Sequence, residues 1–189
     1  SRDPWDRGLE EWTQVYGQEP IKVKAMGLEE EIIVRLETTL DDINRMAQSE
    51  EEKGKLIHWT DQYHKMTNYR YWRMRALAEK ETETTEAHKD LYDAGQAYLQ
   101  GDTPEAEELA YRGLERFEKI SARFPDLLTD VTSIEEIMLG HFVWRESYRQ
   151  NHTEDLPETF PLRNLWIEQQ PNIQNHEKEF LRRYSSLQK

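Results

Sequence analysis

The fold of this chain is decided by residues 91–117, whose sequence is LYDAGQAYLQGDTPEAEELAYRGLERF. Gly101 stands near the middle of this stretch and can adopt the positive φ that ends a helix. Pro104 follows it at a position that suits the first turn of a second helix. Small side chains on both sides would let the two helices approach closely in antiparallel order: Ala94, Gly95, Ala106 and Gly113. The stretch therefore predicts a helical hairpin.

Residues 87–124 resemble one tetratricopeptide repeat, on small, aromatic and apolar residues of the hairpin: Leu91, Tyr92, Ala94, Gly95, Tyr98, Gly101, Ala106, Ala110, Gly113, Leu114 and Phe117. The resemblance implies two antiparallel helices whose first aromatic residue packs into a neighbouring repeat, and Tyr92 or Leu91 stands nearest that place. Two positions depart from the family pattern, because Ala110 replaces a larger residue and Pro125 follows later than the usual terminal proline. The resemblance implies no activity.

Helix is also the prediction for the rest of the chain. Gly (8) and Pro (7) are scarce, and charged residues (33%) are interleaved with apolar ones, which is typical of solvated helices. Six Trp and nine Tyr supply large apolar groups that a disordered acidic chain would lack. We therefore predict an all-α fold with a single helical domain over residues 1–189. It is arranged as a helical bundle or a short tetratricopeptide-like solenoid of about six or seven helices.

Apolar residues at spacings of three and four place the helices before the hairpin. A short helix is predicted within residues 1–20, starting at Asp3 and Pro4. Residues 55–80 form another helix, preceded by a capping box of Ser49 and Glu52. The polar run 81–86 is a bend or an exposed pass, so residues 50–100 form one long helix or two. Between these segments a helix is predicted over residues 27–48, from the stripe Leu28, Ile32, Leu36, Leu40 and Ile43.

Three further segments follow the hairpin. Thr132 and Ser133 each begin a capping box, which predicts a helix that ends near Asn151. Residues 152–161 contain two prolines and no helical periodicity, so they are predicted to be a loop. A short helix that Pro171 terminates comes next, and the chain closes with an amphipathic helix that carries Phe180, Leu181, Tyr184 and Leu187.

The charge balance and the residue content bear on partners and chemistry. Lys and Arg number 25 and Asp and Glu number 38, so the formal net charge is −13. Because sequence-independent affinity for nucleic acid comes from basic side chains that displace counterions, we do not expect a nucleic-acid partner. The chain has no Cys, which excludes disulfides, thiolate metal sites and cysteine nucleophiles. No apolar run is long enough to cross a bilayer.

The start of the chain and several motifs bear on its localisation. Because the chain begins at Ser1 without an initiator Met, we expect that a signal peptide or an N-terminal anchor precedes it. Residues 68–73 (NYRYWR), the hairpin and residues 160–162 (FPL) together resemble an uncharacterised bacterial family in which a helical domain follows one membrane anchor. This resemblance implies association with the cell envelope. A cytoplasmic location stays open, as does the oligomeric state.

Two patterns are candidates for a metal or catalytic centre. Asp61 and His64 share one helix face, as the Glu-x-x-His pair of di-iron bundles does, but such sites need the pattern twice and no second copy occurs. His141 lies in an apolar stripe, which is more typical of a hydrogen-bonded core histidine than of a ligand. No nucleophile elbow or phosphate-binding glycine loop is present. We therefore predict no cofactor and no catalytic residue.

Residues 58–75 carry the most distinctive motif, in which aromatic and basic residues alternate: Trp59, Tyr63, Lys65, Tyr69, Arg70, Tyr71, Trp72, Arg73 and Arg75. In one interpretation these residues bind an acidic peptide, a glycan or a phosphorylated group through stacking and bidentate arginine contacts. In the other interpretation the aromatic rings form a core, and the arginines pair with acids of adjacent helices while their stems lie along the rings.

The leading functional hypothesis is a non-enzymatic protein-interaction or scaffold domain, because stacked antiparallel helices leave a groove for a peptide or a partner helix. A small metal- or ligand-binding helical-bundle enzyme that uses Asp61, His64 and His141 is one alternative. A structural ectodomain of a membrane-anchored envelope protein is another. The partner contacts predicted under the leading hypothesis are Tyr69, Arg70, Trp72, Arg73, Tyr92, Tyr98 and Tyr111.

Overall fold

The computed structural model describes residues 3–24 and 31–184, and the chain divides into two compact units, Ser1–Lys80 and Glu81–Lys189. Most residues of both units are helical, so the predicted all-α, bundle-like fold is confirmed. One short two-stranded sheet accompanies the helices within the described ranges. The single-domain organisation of residues 1–189 stays a prediction.

The first unit contains four α-helices and the small sheet among its described residues. Its first helix continues into a π-helical turn, Glu11–Tyr16, which ends before Gly17. The unit's core joins the sheet to the second and third helices through Val23, Val34, Ile43 and Leu56. The elements are, in order, α1 (Asp3–Glu10), β1 (Ile21–Val23), β2 (Ile32–Val34), α2 (Leu40–Met46), α3 (Glu50–Thr67) and α4 (Tyr69–Glu79).

The helix predicted over residues 27–48 is wrong over residues 31–39. Residues 32–34 form β2, which pairs antiparallel with β1 so that Ile21 faces Val34 and Val23 faces Ile32. The run of β-branched residues favours a strand because their stiff side chains fit a pleated surface. Helix begins only at Leu40, where Thr39 and Asp42 form a capping box. Leu28, which was part of the predicted stripe, lies outside the described residues.

The helix predicted over residues 55–80 is divided in two. Ser49 caps α3 by accepting a hydrogen bond from the Glu52 amide. The predicted capping box forms only in this half, because the Glu52 carboxylate accepts from the Gln48 amide and not from that of Ser49. The helix then ends at Asn68, which adopts a positive φ of 52°. Asn tolerates this left-handed conformation better than most residues, so it can separate two helices without a glycine. Residues 50–100 therefore contain three helices, because a further helix, α5 (Thr82–Gln100), begins after a second break.

The second unit contains five α-helices among its described residues. Two short 3₁₀ turns, Pro125–Thr129 and Gln170–Asn172, lie between them, and residues 152–162 contain neither helix nor strand. Apolar residues of the first three helices form most of the core, including Leu114, Phe117, Ile137, Met138 and Trp144. The helices are α5 (Thr82–Gln100), α6 (Thr103–Arg123), α7 (Val131–Asn151), α8 (Arg163–Glu168) and α9 (Ile173–Tyr184).

Helices α5 and α6 form the predicted hairpin. Gly101 has a φ of 80°, Asp102 caps α6 through the Glu105 amide, and Pro104 lies in the first turn. The helices are antiparallel, because ion pairs join residues ever earlier in α5 to residues ever later in α6: Asp90 to Arg112, Glu86 to Arg116, and Glu81, at the N-cap of α5, to Arg123. The hairpin is confirmed, whereas its relation to tetratricopeptide repeats stays a prediction.

Gly113 allows α5 and α6 to approach closely. A Cβ atom added at Gly113 would lie 2.7 Å from Leu91 Cδ2 and 3.3 Å from the Ala87 carbonyl oxygen. We expect Gly113→Ala to lower the free energy of unfolding by about 1–3 kcal/mol, because the new methyl group overpacks this contact. Chemical denaturation followed by circular dichroism measures the change.

Gly54→Ala is the matched control for Gly113→Ala, because an added Cβ at Gly54 meets nothing within 4 Å. This control should raise the free energy of unfolding by up to about 1 kcal/mol, since Ala is the better helix former. Equal denaturation midpoints for wild type and Gly113→Ala would contradict the close approach.

Helix α7 is the central helix of the second unit. It ends at Asn151, as predicted, but its N-cap is Asp130 rather than Thr132 or Ser133. The Asp130 carboxylate accepts hydrogen bonds from both the amide and the hydroxyl of Ser133, at 2.8 Å each. Asp is a strong N-cap because its carboxylate satisfies amides of the first turn. Most residues between Ile137 and Trp144 are buried, so α7 packs against neighbours on several sides.

Candidate functional site

The predicted partner contacts lie on three helices of the two units. Tyr69, Arg70, Trp72 and Arg73 belong to α4 of the first unit. The three remaining tyrosines belong to the hairpin of the second unit: Tyr92 and Tyr98 on α5, and Tyr111 on α6. The two groups therefore belong to different units.

Tyr69 is a core residue of the first unit and is only 1% exposed. Its hydroxyl lies 2.6 Å from Glu37 Oε1 and 2.9 Å from the Trp12 carbonyl oxygen, so its single proton faces two acceptors. Burial and then the Glu37 carboxylate raise the pKa of this phenol well above its ordinary value. Tyr69 is therefore removed from the surface contacts, because its ring and its hydroxyl are both used inside the unit.

The arginines of α4 are already paired with acids. Arg73 Nε donates to Glu37 Oε1 at 2.7 Å, and the Arg70 guanidinium lies 3.5 Å from Asp61. Trp72 is 45% exposed and its ring packs edge-on against Tyr71. Because neighbouring carboxylates balance these basic charges, the surface favours the second interpretation of the motif over the binding of acidic ligands.

Asp61 and His64 are not arranged as metal ligands. His64 Nε2 lies 2.5 Å from the Leu36 carbonyl oxygen, while its Nδ1 accepts a hydrogen bond from Arg70 Nε at 3.1 Å. The proton of the neutral ring is therefore on Nε2, and neither nitrogen is free for a metal. Asp61 pairs with Lys65 at 2.7 Å. Within residues 3–24 and 31–184, no group of three or more His, Asp or Glu side chains is placed to hold a metal ion.

His141 is in the core of the second unit and is 0% exposed. The sequence predicts a hydrogen-bonded core histidine; the burial is confirmed, but the hydrogen bond is not. Neither ring nitrogen has a hydrogen-bond partner among the described residues. The imidazole packs edge-on against the rings of Phe160 and Trp166, at centroid distances of 5.5 Å and 5.4 Å. Burial, followed by the charge of Arg145, lowers the pKa of His141 to about 3.

The main candidate site is a groove of about 450 Å³ on the second unit, bounded by α5, α7 and α9. We call it the inner groove. Its floor is apolar and largely buried, and its rim carries polar and charged side chains with Tyr92, which is 66% exposed. The groove is lined by Leu91, Tyr92, Gln96, Leu99, Thr132, Glu135, Glu136, Leu139, Gly140, Val143, Arg183 and Tyr184.

Two glycines shape the inner groove. A Cβ added at Gly140 would lie 2.8 Å from Leu91 Cδ2, so the missing side chain lets α5 and α7 meet closely at the floor. A Cβ added at Gly95 would lie 2.6 Å from the Tyr184 hydroxyl oxygen, so the absence of a side chain at Gly95 lets the end of α9 pack against α5. Gly140 stands in the apolar run of residues 137–144, where a glycine inside a helix is a signal of close packing.

The rim of the inner groove carries surplus negative charge. Glu136 lies 2.7 Å from His88 Nδ1, and Arg183 donates to Glu179 at 2.6 Å. Glu135 is exposed and has no ion-pair partner in the part of the chain that the structure describes. Two glutamates and one arginine line this rim, so it keeps a surplus negative charge to which the exposed Glu135 contributes.

Tyr111 lines a different depression, between α6 and α7, with a volume of about 690 Å³. We call it the outer cleft. Its ring lies 5.9 Å from that of Trp144, which is buried beneath it. Glu107 in this cleft is occupied by hydrogen bonds from Asn151 and His152. Tyr98 lines neither depression and instead packs against Phe180 and Tyr184, where it holds α9 in place.

Sequence reasoning identified Tyr92 but missed most of the inner groove. Glu135 and Leu139 lie on α7 and Tyr184 lies on α9, and local periodicity does not distinguish these positions from ordinary core or surface. Comparisons of the chain with protein-family models, curated proteins and solved structures find no match. In the described residues, no helix is both long and apolar enough to span a membrane.

Proposed function

We propose that this chain is a non-enzymatic protein-interaction module whose inner groove binds a short segment of a partner protein. The observation that carries the proposal is an open groove with an apolar floor beside the exposed ring of Tyr92. Aromatic residues of this kind dominate binding energy at many interfaces because they bury much area at low entropic cost.

The floor of the groove supports an apolar anchor on the partner. Leu91, Leu139 and Val143 present aliphatic side chains, and Gly140 leaves room between them. Burying a Leu-sized side chain contributes about 1.5–3 kcal/mol relative to leaving it in water. A partner segment with one large aliphatic or aromatic residue fits this floor.

The rim supports a basic residue beside that anchor. Glu135 has no ion-pair partner among the described residues, and the whole chain has a net charge of −13. A Lys or Arg on the partner would approach Glu135 favourably, and the field of the acidic chain would speed the encounter. The proposed ligand is therefore an apolar-plus-basic peptide segment.

The resemblance of residues 87–124 to a tetratricopeptide repeat also supports this proposal. Stacked helical repeats form extended concave surfaces that bind peptides or partner helices. In this chain the groove runs between α5, the first helix of the hairpin, and α7, the helix that follows the hairpin.

Selection from a phage-displayed random peptide library tests the proposal. We expect the selected peptides to combine a large apolar residue with Lys or Arg. Fluorescence anisotropy with one labelled selected peptide then measures the effect of substitutions. Tyr92→Ala should weaken binding about tenfold or more, because it removes an exposed aromatic contact. Glu135→Lys should weaken binding about threefold to tenfold at low salt, and less at high salt.

Tyr111→Ala and Glu108→Lys in the outer cleft are the matched controls, because they make the same chemical changes away from the groove. They should leave the affinity within about twofold of wild type. If Tyr92→Ala and Glu135→Lys leave the affinity for the selected peptides unchanged while the two control substitutions weaken it, the binding site is the outer cleft. Selected peptides without an apolar and basic pattern would overturn the proposed ligand.

A further inference from the structure

His141 is enclosed by a segment of irregular chain and a short helix. We call residues 152–168, which comprise the irregular residues 152–162 and α8, the covering segment. Phe160 and Trp166 of this segment lie against the imidazole, and the same two rings contact Trp144 and Phe142 on α7 at 5.2 Å and 5.4 Å. The covering segment therefore separates His141 from water mainly by aromatic contacts.

A proton on His141 would find no acceptor in this enclosure. Both ring nitrogens lack a hydrogen-bond partner among the described residues, and the rings around them are uncharged. Arg145 lies one turn further along α7, with its guanidinium 4.4 Å from the Trp166 ring centroid. Its positive charge repels a proton on His141. A buried charge without a partner costs far more than the aromatic contacts that enclose it can supply.

Other titratable groups surround the same packing. On α6, Glu118 Oε1 accepts a hydrogen bond from the Leu162 amide at 3.0 Å. On α9, His176 Nε2 lies 3.3 Å from Gln169 Oε1, and burial lowers its pKa. At the start of the covering segment, His152 lies 2.9 Å from Glu107. None of these groups contributes to the pKa of His141. Each is present in both wild type and His141→Phe, so comparing the two proteins cancels its own response to acid.

From this geometry we infer that mild acid releases the covering segment from α7, because His141 has to reach water in order to accept a proton. Release uncovers Phe142 and Trp144, which the segment contacts in the closed form. This acid-operated device is separate from the inner groove, since neither His141 nor its two ring contacts line that groove.

The direction of the pH dependence follows from the pKa of His141. Its pKa is lowered from 6.5 to about 3 in the closed form, so the open form binds the proton more tightly. Stability of the closed form is full above about pH 6.5 and falls as the pH drops from there toward about 3. Each pH unit in this window raises the open-to-closed ratio about tenfold, so pH 4.5 raises it about 100-fold over neutral pH.

Hydrogen–deuterium exchange of the whole chain, followed by mass spectrometry, tests the device. Wild type and His141→Phe are compared at the same pH, which cancels the intrinsic pH dependence of amide exchange. For peptides from residues 152–168, the exchange rate of wild type divided by that of His141→Phe is measured first at pH 7.5, and this ratio is the reference value. At pH 4.5 that ratio should rise about 100-fold in favour of wild type, because Phe at position 141 has no proton to accept.

His176→Gln is the matched control, because it removes another half-buried histidine from the same unit while keeping an amide near Gln169. It should retain the acid response of wild type. Peptides from the α5–α6 hairpin serve as the internal reference and should keep their protection. An exchange ratio for residues 152–168 that is the same at pH 7.5 and 4.5 would overturn the inference.

Nuclear magnetic resonance of ring-labelled histidine keeps the inference testable if His141→Phe does not fold. In wild type the His141 ring should stay neutral in the closed form from pH 8 to pH 5, and its protonated signal should appear only together with exchange in residues 152–168. Titration of the His141 ring near pH 6.5 with the covering segment still protected would also overturn the inference.

Discussion

Replacing Trp144 with Ala is expected to lower the free energy of unfolding of the second unit by about 3–5 kcal/mol. Trp144 is only 2% exposed, and its ring contacts those of Tyr111, Tyr148 and Phe160 at 5.9, 6.0 and 5.2 Å. Truncation removes the contact area of the largest side chain type and leaves a cavity that three rings on different elements cannot fill by small shifts.

Trp72→Ala is the matched control for Trp144→Ala, because Trp72 is exposed and contacts a single ring, that of Tyr71, among the described aromatic pairs. It should cost less than about 1 kcal/mol. Urea denaturation followed by far-ultraviolet circular dichroism measures both variants. A loss below about 1 kcal/mol for Trp144→Ala would show that Trp144 does not hold α6, α7 and Phe160 together.

Leu91→Ala is expected to cost about 2–5 kcal/mol, because Leu91 fills the space that two glycines leave open. Its Cδ2 atom would lie 2.7 Å from a Cβ at Gly113 on α6 and 2.8 Å from a Cβ at Gly140 on α7. One side chain thus joins three helices, and its removal leaves a cavity in the floor of the inner groove. Leu40→Ala, at an exposed leucine of the first unit, is the control and should change stability by less than about 1 kcal/mol.

A double-mutant cycle sharpens this prediction. Gly140→Ala alone should cost about 1–3 kcal/mol, because the added methyl group collides with Leu91. In the Leu91→Ala background the same substitution should be neutral or stabilising, since the collision is gone and the methyl group enters the cavity. Denaturant midpoints of the four proteins give the coupling energy, and additive effects of the two substitutions would contradict the direct contact.

The parts of the fold that short stretches of sequence encode agree with prediction. The hairpin follows from Gly101, Pro104 and nearby small residues, because a positive φ and a helix start are local properties. The Ser49 cap and the end of α7 at Asn151 are local in the same sense. In the candidate site, Tyr92 was predicted because it stands near the start of the hairpin's first helix, where the resemblance to a tetratricopeptide repeat implies an aromatic contact.

The corrected elements depend on contacts between distant residues. The sequence of residues 32–34 is compatible with a helical stripe and with a strand. These residues form a strand because they pair with residues 21–23. The sequence predicted Tyr69 as a partner contact on the surface. In the structure its hydroxyl donates within the unit, where it lies close to Glu37 and to the Trp12 carbonyl oxygen. The inner groove requires α5, α7 and α9 to be packed together before Tyr92, Leu139 and Tyr184 line one depression.

From the sequence alone come the helical class, the hairpin, the acidic charge and Tyr92 as a candidate contact, because periodicity, turn chemistry and composition act over a few residues. Tertiary structure alone decides the small sheet, the burial of Tyr69, the dry enclosure of His141 and the shape of the inner groove. These features arise when side chains far apart in the chain compete for the same space and for the same hydrogen-bond acceptors, and no local pattern records the result of that competition.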